Sequence, residues 1–152
     1  MPARVFTSID DLKGAVGTHL GYSEWWEITQ ERVDAFADAT DDHQFIHVDP
    51  DRAAMTPFGG PIAHGYLTLS LVVPLVQQIL KVEGIEMAVN YGVNKVRFPA
   101  PVPVGSKLRA GVALVSVEDV AGGAQSISDV TFEIEGGTKP VCVAQTVTRY
   151  YV

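Results

Sequence analysis

The chain predicts an α+β fold, and two features of its hydrophobic pattern carry that prediction. The apolar period changes once, near Gly84, from about 3.6 residues to 2, the change from helix to strand. Residues 65 to 82 are apolar nearly all round, with Leu67, Leu69, Leu71, Val72, Val73, Leu75, Val76, Ile79 and Leu80 leaving no polar face. A helix of that kind is buried on most sides. One face of the following sheet has to be covered, and only this helix is apolar enough to cover it. The expectation is an antiparallel β-sheet wrapped around one long central helix, with short helices before and beside it.

The elements follow in order. Ser8-Ile9-Asp10-Asp11 has the form of a capping box, with Asp11 in the usual glutamate place, and starts a short helix ending near Gly17. Gly21 to Ile28, with Tyr22, Trp25 and Trp26, reads as a first strand. Thr29 caps a helix whose stripe is Val33, Phe36, Ala37 and Thr40. Residues 41 to 48 carry no helical stripe. Asp49-Pro50 starts another short helix, aspartate as cap and proline in the first turn, ending by Thr56-Pro57. Pro74 should bend the central helix, because it cannot donate to the Ser70 carbonyl. Gly84 ends that helix. Alternating segments over 87–98, 107–114, 130–135 and 141–152, separated by Gly and Pro turns, read as an antiparallel meander.

Composition narrows the function. A chain of 152 residues fits one domain over 1–152, and a net charge of −7 argues against nucleic-acid and anionic-membrane surfaces. The single Cys142 excludes an internal disulfide and a cysteine-built zinc site, and its apolar alternation suits a buried strand position. The N-terminus lacks the apolar run of a signal peptide, and residues 66 to 80 are interrupted by Thr68, Ser70, Gln77 and Gln78 and too short to span a bilayer. A cytoplasmic location is expected.

Residues 40 to 65 hold three of the four histidines, in a turn-rich stretch. Asp42 and His47 are five apart, which on a continuous helix places them about 140° apart. In a turn after a helix end they can converge, and a carboxylate beside a neutral imidazole can move one proton on and one off. The plainer reading of such a pair is a cap or a local hydrogen bond. No metal is expected, since His43, His47, His64 and Asp49 match no zinc spacing. His64-Gly65 opens the central helix, where unpaired N–H groups suit a developing oxyanion and glycine permits close approach. The plainer reading there is a tight junction.

Thr40-x-Asp42-x-Gln44-Phe45-Ile46-His47, followed by Ala53-Ala54, resembles the signature of the MaoC-like, R-specific enoyl-CoA hydratases (hydratase 2). Ile62-Ala63-His64-Gly65 is similar to that family's lead into its central helix. Asn94-Lys95-Val96-Arg97-Phe98-x-x-Pro101-Val102-x-x-Gly105 is similar to its first long strand and turn. The motif's Gly, Asn and Pro are here Asp41, Gln44 and Phe45; Gln44 keeps an amide to hold water or a neighbouring loop, and Phe45 adds bulk beside an acyl chain.

The resemblance implies a hot-dog fold and a homodimer, with a catalytic Asp42/His47 pair and the Gly65 amide on the thioester oxygen. It implies reversible addition of water to a trans-2-enoyl-CoA, giving the (3R)-3-hydroxyacyl-CoA, with no cofactor beyond the substrate's own CoA or acyl-carrier protein. Phe45, Phe58, Leu67 and Leu71 are candidates to hold the acyl chain, and Lys95, Arg97, Lys107 and Arg109 to hold the anionic CoA. For each of these, core packing or a solvated face is the plainer role. Two rival functions share the scaffold, a non-catalytic acyl-thioester-binding subunit and an acyl-CoA thioesterase.

Overall fold

The computed structural model describes residues 2–152; Met1, the first residue of the expected domain, lies outside the described residues. The chain opens with β1 (Arg4–Phe6), which the sequence pattern did not reveal. Ser8 then starts α1 (Ile9–Lys13), accepting the Asp11 N–H at 3.0 Å while the Asp11 carboxylate accepts the Thr7 N–H at 2.9 Å. The helix stops at Lys13, short of the expected end, and turns carry the chain to Gly17.

The expected strand over 21–28 is two pieces, β2 (His19–Tyr22) and β3 (Trp26–Glu27). Ser23 divides them: its N–H donates to the Ala110 carbonyl, and its hydroxyl accepts the Ala110 N–H, so a side chain replaces one rung of the ladder. Thr29 caps α2 (Gln30–Thr40) through the Arg32 N–H. Val33 and Ala37 of its stripe are fully buried and Phe36 is half-buried. Thr40 is exposed, its hydroxyl bonded back to the Phe36 carbonyl. Two single-turn helices follow, α3 (Phe45–Val48) and α4 (Pro50–Ala53). The first corrects the expectation of no helix over 41–48; four residues are too few to display a stripe.

The long central helix expected over 65–82 is α5 (Gly65–Ser70), α6 (Val72–Gln77) and a strand, β4 (Leu80–Val82). Proline at 74 leaves the Ser70 carbonyl without its i+4 donor and crowds it. The break falls where that carbonyl lies, at Leu71, whose ψ of −3° departs from the helical value near −42°. Beyond Ile79 the apolar run pairs β4 in parallel with β1. Apolar character all round therefore reflects two different environments. Leu67, Leu71, Leu75 and Ile79, four residues apart, are buried against the sheet, whereas Val73 is 41% exposed and Tyr66 72% exposed on the other sides.

Four long strands complete the chain: β5 (Met87–Arg97), β6 (Lys107–Val120), β7 (Gly123–Ile134) and β8 (Cys142–Tyr151). The antiparallel sheet runs β2-β6-β7-β8-β5, with β3 also on β6. The four-strand meander is thus corrected to three strands, with β5 on the far edge beside β8. Pro99, Pro101 and Pro103 cannot close a tight hairpin, and the segment instead crosses to the site loops, where the Val102 carbonyl accepts the Ala63 N–H and the Val104 N–H donates to the Pro61 carbonyl. The core lies between α5–α6 and the inward residues Leu108, Ala110, Val112, Val130, Phe132, Cys142 and Ala144. Burial pushes the Cys142 thiol up to about 11, in keeping with a packed strand residue. No helix among the described residues is long and apolar enough to cross a membrane.

Candidate active site

Asp42 and His47 reach one place through the reversal that ends α2 and the single turn of α3. Thr40 ends α2, and Asp41 then adopts the left-handed conformation at φ 60°. That is the conformation glycine takes without steric cost, and an aspartate tolerates it better than a branched residue. The reversal turns Asp42 back toward α2, where its carboxylate accepts the Gln44 N–H at 3.4 Å. Gln44 precedes the single turn of α3, which presents His47 inward.

His47 is buried, and its Nδ1 lies 2.6 Å from the Ile62 carbonyl. A carbonyl only accepts, so Nδ1 carries the proton and Nε2 is left with a bare lone pair. His64, also buried, places Nε2 3.0 Å from the Asp42 carbonyl oxygen, which by the same argument makes Nε2 its donor. Its Nδ1 is buried without a partner among the described residues. The two imidazoles stack with centroids 3.8 Å apart, and Phe36 packs on the far side of His64 at 4.8 Å. Burial lowers the His47 pKa below the ordinary 6.5; the Ile62 carbonyl opposes that, neighbouring His64 adds to it, and Asp42 again opposes it. His47 is therefore neutral near pH 7 and available as a base.

One ligand-type atom from each of Asp42, His47 and His64 lies within 4.8 Å of the others. The tetrahedral edge around zinc is roughly 3.3 Å, and each histidine already commits one nitrogen to a carbonyl. The donors suit proton transfer better than a preformed metal cage. His43 points elsewhere, to Asp38 on α2 at 2.9 Å, and its pKa is raised chiefly by that hydrogen bond. Asp49 caps α4 through the Arg52 N–H.

Gly65 begins α5 directly after His64, and its N–H has no acceptor among the described residues. A Cβ built on Gly65 would stand 3.1 Å from the Phe98 ring, so this aromatic lies against the glycine and closes one side of the site. Phe98 also meets Tyr66 edge-on at 6.2 Å. Neither this contact nor the α2 residue Gln30 could be anticipated from local pattern. The Gln30 side-chain amide donates to the His47 carbonyl at 2.8 Å and to Asp34, tying α3 to α2.

The structure therefore brings Asp42, His47, His64, Gln44 and Gly65 together, and scatters the other candidates. Phe45 lies under the Arg52 guanidinium at 4.2 Å. Phe58 is 46% exposed in the loop after α4, and Leu67 is part of the core. Lys95 and Arg97 line a small hollow of about 200 Å³ with Asp129, Val143 and Gln145. Lys107 pairs with β3 at Glu27, and Arg109 is bound to Glu133 and covered by Tyr22 and Trp25. A much larger cavity, about 880 Å³, begins one turn along α5 at Leu69 and follows α6 to Gln77, with β5, β7 and β8 as its floor.

Known proteins resemble this chain in sequence and in fold. Residues 11–133 match the family described as MaoC like domain. The chain is 55% identical over 148 residues to the 3-hydroxyacyl-thioester dehydratase Z of Mycobacterium tuberculosis, covering 97% of this chain and 98% of that one. It is 43% identical to nodulation protein N of Rhizobium leguminosarum bv. viciae, covering 93% and 89%. Among solved structures, the (R)-hydratase of Aeromonas caviae superposes with a TM-score of 0.73 at 27% identity, covering 88% of this chain and 94% of that one. An R-hydratase of Pseudomonas aeruginosa shares the fold, with a TM-score of 0.74 at 23% identity over 95% of this chain and 85% of that one. A chain matched over this length, with this helix-on-sheet architecture, belongs to the MaoC-like dehydratase family of hot-dog hydro-lyases.

Proposed function

We propose that this protein is an R-specific hydratase–dehydratase, adding water reversibly to trans-2-enoyl thioesters to give (3R)-3-hydroxyacyl thioesters, with CoA or an acyl-carrier protein as the thiol. The observation that carries the reading is the convergence of the Asp42 carboxylate with a buried His47 whose Nε2 is bare and whose Nδ1 is held by the Ile62 carbonyl.

In the hydration direction, the thioester oxygen lies against the Gly65 N–H, which stabilises the negative charge that grows there as water attacks. In a helix of six residues this is the work of a local donor rather than of a summed dipole. Water bound between Asp42 and His47 gives a proton to His47 Nε2 as its oxygen bonds to C3. A proton from the Asp42 side reaches C2 on the same face, and the pair exchanges a proton through solvent to reset. Each proton transfer contributes about 10² to 10⁴ in rate and the amide roughly 10² to 10³. Gln44, beside Asp42, orients the water. The cavity along α5 and α6 accepts the acyl chain, with Phe45, Phe58 and Leu67 shaping its approach. Lys95 and Arg97, next in the chain to the Phe98 that touches Gly65, meet the phosphates.

The protein acts as a homodimer through β5. That strand is exposed along almost all of its 11 residues and forms an unpaired sheet edge. A long open edge invites a second copy. Sedimentation equilibrium should give twice the chain mass, and a monomer would remove this part of the reading.

The activity test follows crotonyl-CoA by loss of its conjugated absorbance, with product stereochemistry and free thiol read together. Loss of absorbance with an R product and no thiol supports the reading. Thiol release would make the protein a thioesterase, and no change with either thiol carrier would make it a binding subunit.

A further inference from the structure

We propose that the cavity along α6 is a subsite for acyl chains bearing a neutral oxygen, a hydroxyl or keto group, well beyond the reacting carbons. This rests on the hydratase reading above and adds a substrate class to it.

From Leu69 to Gln77 the cavity follows eight residues of helix, about 12 Å at 1.5 Å per residue. None of Asp42, His47, His64 and Gly65 lines it, so a four-carbon acyl group held at that site should stop short of it. The helix side is largely apolar, with Leu69, Val72, Val73 and Val76. The sheet side sets five polar residues among apolar ones such as Val93, Val112, Leu114 and Val130. Asn90 of β5 is the register partner of Thr148 of β8, which is in turn the partner of Ser126 of β7. The neighbouring row places Thr146 of β8 opposite Ser128 of β7. All five side chains line the cavity, in two rows across the sheet floor.

Their hydrogen bonding separates them. Ser126 is buried and has the Tyr150 hydroxyl as its polar neighbour. Asn90, Ser128, Thr146 and Thr148 have no side-chain partner among the described residues, and neither has Gln77 on the facing helix. Lys81, exposed at one end, is the one charged residue of the lining among the described residues. A plain alkyl chain laid over this floor would strip water from several hydroxyls and return nothing, a loss of about tenfold in affinity for each group buried unpaired. A chain carrying an oxygen at that depth restores the bond. Serine, threonine, asparagine and glutamine each both donate and accept, so the floor suits a hydroxyl and a carbonyl alike.

The test compares three substrates: crotonyl-CoA, a medium-chain trans-2-enoyl-CoA and the ω-hydroxy form of the same length. The ω-hydroxy thioester should show a kcat/KM about tenfold above its methyl-ended counterpart. In the Thr148→Val, Ser128→Ala double variant that preference should vanish while crotonyl-CoA turnover is unchanged. Equal or poorer turnover of the ω-hydroxy substrate by the native protein, or a preference that survives the double variant, overturns the subsite and leaves the hydratase reading standing. Failure to hydrate any of the three sinks the hydratase reading and the subsite with it.

Discussion

The loops around His47 and the floor of the α6 cavity are both partly buried and both rich in polar groups, yet they are built on opposite plans. Around His47 the groups that position the reacting atoms are held, while His47 Nε2 and the Gly65 N–H stay open. The Ile62 carbonyl fixes one imidazole, the Asp42 carbonyl fixes the next, and Gln30 holds the turn between α2 and α3. Among the described residues, His64 Nδ1 is the one buried side-chain nitrogen or oxygen without a partner. On the cavity floor, four side chains on neighbouring strands face open space with nothing to bind. Groups that must hold a reacting atom to a fraction of an ångström are fixed in advance; groups that recognise a variable tail stay open until it arrives.

The sharpest way to break the contrast is to remove the acid–base pair. Asp42→Asn and His47→Ala should each lower crotonyl-CoA turnover by about 10² to 10⁴. They should part company in thermal unfolding. The Asp42 side chain is 49% exposed, so Asp42→Asn should barely move the midpoint. His47→Ala leaves the Ile62 carbonyl unpaired and should cost about 1–3 kcal/mol. Unchanged activity in either variant would end the assignment.

Gly65→Ala ranks next. Its methyl group meets the Phe98 ring at 3.1 Å and pushes it or the α5 terminus aside, with an expected loss of roughly tenfold to a hundredfold in kcat. Phe98→Ala in the same chain should recover part of that loss; no recovery would place the damage in the amide itself. Gly92→Leu probes the cavity side. A Cβ there meets nothing within 4 Å and the residue lines the cavity, so leucine fills space without displacing core. Turnover of medium-chain thioesters should fall about tenfold, as a steric block of this size implies, while crotonyl-CoA is spared. Equal losses on both substrates would show that the two regions are not separable.

The gentlest test is pH. The folded pKa of His47 lies below its unfolded value of 6.5, so the free base persists in the folded protein at a pH where the unfolded chain already takes up a proton. Its contribution to stability is present above about 6.5 and is lost as pH falls through the lower folded value. The acidic limb of kcat/KM should therefore lie below pH 6.5. His43 shifts the opposite way beside Asp38, and His43→Ala should leave that limb in place. A limb that moves with His43 would identify the wrong histidine.

Much of this was legible before any coordinates. Caps at Ser8, Thr29 and Asp49 act through short-range hydrogen bonds between side chains and nearby N–H groups, which spacing alone encodes. Alternation located β6, β7 and β8 because each has one face on the core; β5 alternates although almost all of it is exposed. The convergence of Asp42 and His47 was expected from a turn after the end of α2, and the structure brings the two together. What sequence could not show depends on segments far apart. Leu80 to Val82 look helical until β1 arrives to pair with them, and three residues are too few to betray a strand. Phe98 reaches Gly65 only because a proline-rich crossing puts β5 on the distant edge. The Phe36–His64–His47 stack draws on three separate elements.

The parallel pairing of β1 with β4 bears on how the protein is made. Arg4 aligns with Leu80 and Phe6 with Val82. On a ribosome adding about 5–20 residues per second, Arg4–Phe6 waits roughly 4–15 s for its partner to be synthesised, longer still before that partner clears the exit tunnel. Over that interval it is a short, unpaired strand, and the far end of the helical pair cannot be clasped. Pairing of β1 with β4 can therefore be complete before the strands of the cavity floor, β5, β7 and β8, have been made.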